Sequence, residues 1–217
     1  MNRILKINNI ITKSQKLEIL NLVSNNAEAI SINIFDKNSK ISDYLSAREK
    51  VKTEIYLSRI GEPEPRATHL IITVDNLNKI VGYILYHKVV NQPNDIAIIN
   101  TIVSSNCRNK GVLRKMMDIL KTDYKSISLS CFPKLVNLYE KLGFKIACQW
   151  QTQIGMYFGY QDEGSIITVD DESLNSNETI QKEFKKFQTK HNDWNNIINQ
   201  LNLDNSKAIE VAEKYTK

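Results

Sequence analysis

Four residues crowded near one loop have the chemistry to hold an anion. Arg108, Lys110, Gly111 and Arg114 lie where the apolar, β-branched run from Asp95 to Val103 gives way to a helical period. In that period Val112, Leu113, Met116, Met117 and Leu120 share one face, with Arg114, Lys115, Asp118 and Lys121 opposite. Asp95 to Val103 reads as a strand buried on both faces, and Ser104 to Gly111 as a polar loop. The first amides of a helix have no carbonyl one turn earlier to bond, and its aligned peptides place roughly half a positive charge there. Gly111 lets a ligand approach the backbone closely, while Arg108, Lys110 and Arg114 add cationic donors. Alone, the pattern is better read as a solvated helix start, because strand–loop–helix turns are common.

Several elements must position this loop. Arg3 to Ile7 is predicted as a strand. Thr12 to Gln15 has capping-box spacing, followed by Leu17, Leu20, Val23 and Ala27 on one helical face. A second helix is predicted from Ser42 to Arg59 with Tyr44, Arg48, Val51 and Ile55 as its stripe, stopped by Gly61, Pro63 and Pro65. His69 to Val74 and Ile80 to Val89 read as a hairpin around Asp75–Lys79, and Asn91 to Asn94 as the next turn. After the central helix come a strand, Ser126 to Cys131, and a helix opening at Pro133 with Leu135, Leu138, Tyr139 and Leu142 on one face. Gly143 ends that helix, and Ile146–Trp150 with Gln153–Tyr160 form a closing strand pair. The order β-α-α-β-β-β-α-β-α-β-β predicts an α/β unit around one mixed sheet, its central strand–helix–strand being a parallel crossover.

Beyond residue 160 the composition shifts. Residues 161–175 form an acidic, polar linker with one short strand expected at Ile166–Val169. Ile180, Phe184, Phe187, His191, Trp194, Ile198 and Leu201 then recur at helical spacing, predicting one long amphipathic helix whose stripe packs on the body, with His191 as a packing residue. A shorter helix is expected at Ser206–Tyr215. Residues 161–217 carry 11 acidic and 7 basic side chains, against 13 and 22 in residues 1–160. A basic body suits an anionic ligand. Its lysines are dispersed and not interleaved with aromatics, which argues against nucleic acid.

With 217 residues, 41% of them hydrophobic, the chain can bury one substantial core and a small appendage. No apolar run reaches the roughly 20 residues that span a bilayer, and no secretory signal is expected from the N-terminal residues. Cys107, Cys131 and Cys148, like His69, His87 and His191, are scattered, so neither a disulfide framework nor a metal site is expected, and a cytoplasmic location is.

Two motifs together resemble the GNAT superfamily of N-acetyltransferases. The first is Arg108-Asn109-Lys110-Gly111-Val112-Leu113, five residues beyond Val103; the second is Leu138-Tyr139-Glu140-Lys141-Leu142-Gly143-Phe144. The resemblance covers residues 1–160, most clearly 68–158. It implies an α/β fold of α+β type: a mixed, mostly antiparallel sheet with splayed central parallel strands, flanked by helices, with residues 161–217 as a helical extension. It further implies an acetyl-CoA-dependent N-acyltransferase that moves acetyl to a primary amine, of a small molecule or a protein, by direct attack. In that scheme Ile102 and Val103 offer backbone hydrogen bonds to the pantetheine and thioester. The amides from Arg108 to Leu113, with Arg114, take the pyrophosphate, and Tyr139 protonates the leaving thiolate and contacts the cofactor. Acetyl-CoA and an amine acceptor are the expected partners; a metal, a membrane and nucleic acid are not, and a homodimer is allowed.

Three positions depart from the family pattern. Leu113 replaces a small residue at the loop end, Phe132 stands where many members have a cofactor-contacting asparagine, and Ala97 where some carry a glutamate base. The base is therefore unassigned, with Asp95, His87, Asn100 through water, Glu62 and Glu64 as candidates. Cys131 follows the fifth strand without a His or acid partner to activate it, which disfavours a covalent acyl intermediate. The alternative reading is a non-catalytic CoA-binding or protein-interaction module on the same fold.

Overall fold

The computed structural model of the protein describes residues 2–161 and 164–216; residues 162 and 163 of the acidic linker fall outside that range. Seven strands form one sheet: β1 (Arg3–Ile7), β2 (His69–Val74), β3 (Ile80–Val89), β4 (Gln92–Val103), β5 (Ser126–Cys131), β6 (Lys145–Trp150) and β7 (Gln153–Phe158). Their spatial order is β1-β2-β3-β4-β5-β7-β6. Every neighbouring pair is antiparallel except β4 and β5, which run parallel. The expected mixed, mostly antiparallel sheet is what forms.

Helices cover both faces. On one lie α1 (Lys13–Ser24) and α3 (Ser42–Ser58), and on the other α4 (Val112–Asp123) and the short α5 (Val136–Glu140). The Thr12 capping box closes as its spacing predicts: Thr12 Oγ1 accepts from the Gln15 N–H and the Gln15 side chain accepts from the Thr12 N–H. Four-residue α2 (Ala27–Ile30) follows α1. Beyond the body come α6 (Asp171–Asn175), α7 (Glu178–Lys190) and α8 (Trp194–Tyr215). Val169, Leu174 and Ile180 join the core under α1 and α3, Phe187 packs with Ile41 and Leu45, and Ala212 is fully buried in the core under α4.

Several local expectations give way to packing. The tail is not one long helix: α7 ends at Lys190, His191 is extended, and α8 restarts at Trp194 and runs unbroken through 206–215. The polar pair Asn192-Asp193 forms the turn, whose bonds run from Trp194 N–H to His191 O and from Asn196 N–H to Asp193 O. The apolar stripe survives the break because Phe184, Trp194, Ile198 and Leu201 all pack in the Phe187 cluster. Ile166–Val169 is no strand; instead the Val169 N–H donates to Tyr56 Oη at 3.0 Å and Ser165 O accepts from the Val90 N–H. The turn before β4 is shorter than expected, since the strand begins at Gln92. The buried face of α3 runs through Leu45, Glu49, Thr53 and Tyr56 rather than Tyr44, Arg48 and Ile55. Leu17 and Leu138, expected on buried faces, are exposed. The helix expected at Pro133 is a 3-10 turn, Pro133–Leu135, leading into α5.

The feature that builds a site lies in β4. Against β3, Tyr86 pairs with Ile98 but Leu85 with Asn100, so Ile99 is an extra, bulged residue. The bulge reverses the side-chain alternation. Ile96 and Ile98 pack under α4, whereas Ile99 and Ile102 pack under α1 and α3, and Asn100 turns to α3 to donate to Thr53 Oγ1 at 3.3 Å. On its other edge β4 pairs with β5 only from Asp95–Ala97 to Ser126–Ser128, after which the two strands part.

Candidate active site

A cleft of about 670 Å³ opens where β4 and β5 separate. Ile98 to Val103 form one wall, Leu129 to Cys131 the other, the loop before α4 closes one end, and α2 covers the top. The second strand that would take the β4 backbone bonds has left, so this wall offers main-chain polar groups to a ligand rather than to the sheet. Ile102 and Val103, Arg108, Asn109, Gly111, Val112, Leu113, Arg114 and Tyr139 all border this one cleft. Lys110 is exposed in the same loop and does not border it.

The anion end is built by backbone geometry. Asn109 and Gly111 both take left-handed conformations, with φ 61° and 73°. Gly111 is the N-cap of α4, no side chain caps the helix, and nothing lies within 4 Å of the position a Cβ would occupy. The glycine is thus required by its φ rather than by crowding. First-turn amides and the helix dipole face an open space. Arg108 reaches back along the cleft: its Nε donates to Val103 O at 3.0 Å and its Nη2 to Asn26 Oδ1 at 2.6 Å. The Val103 carbonyl is therefore held by the loop. Leu113 is half-buried and packs on the core beside α4, serving as wall.

Tyr139 is 5% exposed, its ring edge-on to Phe144 with centroids 5.8 Å apart. Burial pushes its phenol well above the usual tyrosine range, and the nearby Cys131 adds to the rise. Burial alone pushes the Cys131 thiol up to about 12. Cys131 Sγ rests 3.6 Å from Met156 Sδ, so it is a protonated packing group and not a nucleophile. Phe132 is buried beneath Lys134, whose Nζ lies 5.7 Å from the ring centroid, and does not border the cleft.

Of the proposed bases, the structure brings only Asn100 to the cleft. Both Asp95 carboxylate oxygens accept from Tyr160 Oη at 2.6 Å. His87 is fully buried, its Nδ1 2.7 Å from Ala67 O. Glu62 pairs with Arg66, and Glu64 with His69 and Lys88. Ala97 does not border the cleft, lying within the paired stretch.

Several cleft residues were not legible as such in the sequence. Lys134 and Lys141 bring two more cations to the β5 side of the mouth, and Glu28 on α2 is its one acidic residue. Ser130 Oγ donates to Gln153 Oε1 at 2.6 Å, and Gln153 Nε2 donates to Ser31 O at 3.4 Å, making a polar wall beyond Leu129. Lysines inside a motif already read for its tyrosine, and a glutamine at a strand start, carry no periodic signal. Among the described residues no group of three or more His, Cys, Asp or Glu side chains is placed to hold a metal ion, and no helix is long and apolar enough to cross a membrane.

Residues 37–144 match the acetyltransferase (GNAT) family. Among solved structures, an acyl-CoA N-acyltransferase from Pseudomonas aeruginosa superposes with a TM-score of 0.52 at 13% identity, over 73% of this chain and 100% of that one. Escherichia coli ElaA does so with a TM-score of 0.50 at 16% identity, over 73% and 99%. At such identities the likeness is one of fold. No curated protein matches the chain.

Proposed function

Because the chain belongs to the GNAT superfamily of N-acetyltransferases, whose fold serves acyl transfer from acyl-CoA, we propose that it moves acetyl from acetyl-CoA to a primary amine by direct attack in the cleft between β4 and β5. The observation that carries this reading is the parting of the two strands after Ala97 and Ser128, with the Gly111 loop at one end of the gap and Tyr139 in its side. A pantetheine arm is a thin chain with two amides, which a strand edge free of its neighbour can bond. The amides of residues 109–114 take the pyrophosphate, aided by Arg108, Arg114 and the exposed Lys110. Lys134 and Lys141 face the remaining phosphate charge at the mouth.

In the reaction the amine nitrogen bonds to the thioester carbon, the C–S bond breaks and the sulfur takes a proton. Amides of the β4 wall stabilise the oxyanion, Ile102 and Val103 being nearest the loop. Tyr139 gives the proton to the departing thiolate. A raised phenol pKa does not disqualify it: burial keeps the phenol protonated, as an acid must be before it donates, and the same wall, which raises the Cys131 thiol, favours a protonated sulfur. In this reading residues 1–160 form the catalytic unit, residues 161–217 an extension packed on it, and the protein works in the cytoplasm.

Differential heating with and without acetyl-CoA, followed by thiol release over a panel of amines and peptides, tests the proposal. Stabilisation by acetyl-CoA and amine-dependent thiol release are expected. Absence of stabilisation overturns it, and stabilisation without turnover of any amine leaves the non-catalytic module instead.

A further inference from the structure

Behind the cleft lies a buried polar cluster that the scheme above does not use. Glu49 is 7% exposed on the sheet-facing side of α3. Its carboxylate is hydrogen-bonded by the Ser31 hydroxyl, and among the described residues no cation forms an ion pair with it. Arg48, its neighbour in sequence, turns away to Asp171 at 2.9 Å and Asn175 at 2.6 Å. Burying a carboxylate with so little compensation opposes folding, which makes a functional reason worth seeking.

Two routes connect Glu49 with the cleft wall. Ser31 follows Ile30, which borders the cleft, and its carbonyl accepts from the cleft residue Gln153. Thr53, one helical turn beyond Glu49 on the same face, accepts from Asn100, whose own place in the wall comes from the β4 bulge. Among the described residues, two polar atoms in this cluster have no partner: Asn100 Oδ1 and the fully buried Tyr83 Oη, which feels the charge of Glu49. Asn100 on β4, Tyr83 on β3 and Glu49 on α3 share the α3 side of the sheet, and an acceptor, a donor and a carboxylate are the kinds of partner that hold one water.

We propose that Glu49 accepts the proton lost by the attacking amine, relayed by a water bound between Asn100 Oδ1, Tyr83 Oη and the carboxylate. This rests on the acetyl-transfer reading. The proton balance closes: the amine N–H proton goes to Glu49 as the N–C bond forms, Tyr139 gives one to the thiolate as the C–S bond breaks, and exchange with solvent resets both. Glu49 suits the task because burial raises its carboxyl above the usual range, against the opposing pull of Lys52, Ser31 and Arg48 and with a small push from Asp171. A base near its working pH is the efficient one. Tyr83 faces it from β3 and remains protonated, since burial raises that phenol far above its usual range.

The test compares wild type, Glu49→Gln and Tyr83→Phe in three measurements: acetyl-CoA affinity, the pH profile of kcat at saturating amine, and titration of the Glu49 carboxyl by carbon-13 NMR. Both variants are expected to bind acetyl-CoA as wild type does, with kcat lowered by about tenfold or more. The acidic limb of the wild-type profile should coincide with the NMR titration of Glu49 and disappear in Glu49→Gln. Tyr83→Phe is the sharper variant, because its hydroxyl bonds none of the described residues and its loss should leave the melting temperature unchanged. Variants with wild-type kcat and pH profile overturn the proposal, as does a Glu49 carboxyl titrating in the ordinary carboxylate range. The NMR titration needs no turnover. A wild type that acetylates no amine therefore removes the function above, while Glu49 is judged by its own titration.

Discussion

Arg108 and Asn26 join the two rims of the cleft: the Arg108 guanidinium donates to Asn26 Oδ1 at 2.6 Å while its Nε holds the Val103 carbonyl at 3.0 Å. One side chain thus ties the anion loop, the end of β4 and the segment between α1 and α2. Hydrogen bonds from a charged donor contribute about 1.5–3 kcal/mol each, so Arg108→Ala is expected to weaken acetyl-CoA binding by roughly tenfold or more. Calorimetric titration measures it. An unchanged Kd would remove Arg108 from the binding site.

Tyr139→Phe separates chemistry from packing. The ring would still meet Phe144 edge-on, so melting temperature and acetyl-CoA affinity should hold. Loss of a positioned acid typically lowers turnover by about 10²–10⁴-fold, and steady-state thiol release should fall within that range. A variant as fast as wild type would leave Tyr139 as a core aromatic.

Much of the loop end of the cleft was legible because it is written in local signals. The β-branched run, Gly111 at the helix start and the Leu138–Phe144 motif each depend on residues close in sequence, and β5 appears at its predicted bounds. The polar cluster behind the cleft was not legible, for equally physical reasons. Glu49 stands between Arg48 and Lys50 and reads as part of a solvated charged face until α3 is docked. The Ile99 bulge, which decides that Asn100 meets Thr53, is a property of strand pairing rather than of the strand. Likewise the break at His191 comes where an unbroken apolar period ran on in sequence.

Asn205 ties the extension to the loop that follows α2. From α8 its Oδ1 accepts from the Ile34 N–H at 2.8 Å and its Nδ2 donates to Asn33 Oδ1 at 2.9 Å. Thr152 Oγ1 donates to Ile32 O in the same loop, just beyond the cleft residue Ile30. Each bond is worth about 1 kcal/mol, and for a chain of this size 1 kcal/mol shifts the melting temperature by about 2–4 °C. Asn205→Ala should therefore melt several degrees lower and show a raised KM for the amine with an unchanged KM for acetyl-CoA. Equal shifts in both KM values would contradict a role confined to the acceptor side.

Glu49 also leaves a signature in stability. The fold holds its proton more tightly than the unfolded chain does, so the native state binds more protons between the ordinary and the raised pKa. Stability from this group then falls as pH rises through that window and stays low above it. Glu49→Gln, which cannot ionise, should match wild type in acid and melt higher towards neutral pH. Thermal melts followed upward from the ordinary carboxylate range test this. A variant less stable than wild type at neutral pH would mean that the carboxylate is better compensated than its single hydroxyl partner implies.

Initial rates of thiol release, with acetyl-CoA and a productive amine both varied, test most directly that acetyl passes straight from cofactor to amine in the cleft. Intersecting double-reciprocal lines are expected, since the amine must enter while acetyl-CoA lies between β4 and β5 and Cys131 is protonated and buried. Parallel lines, the pattern of a covalent acyl intermediate, would contradict direct attack.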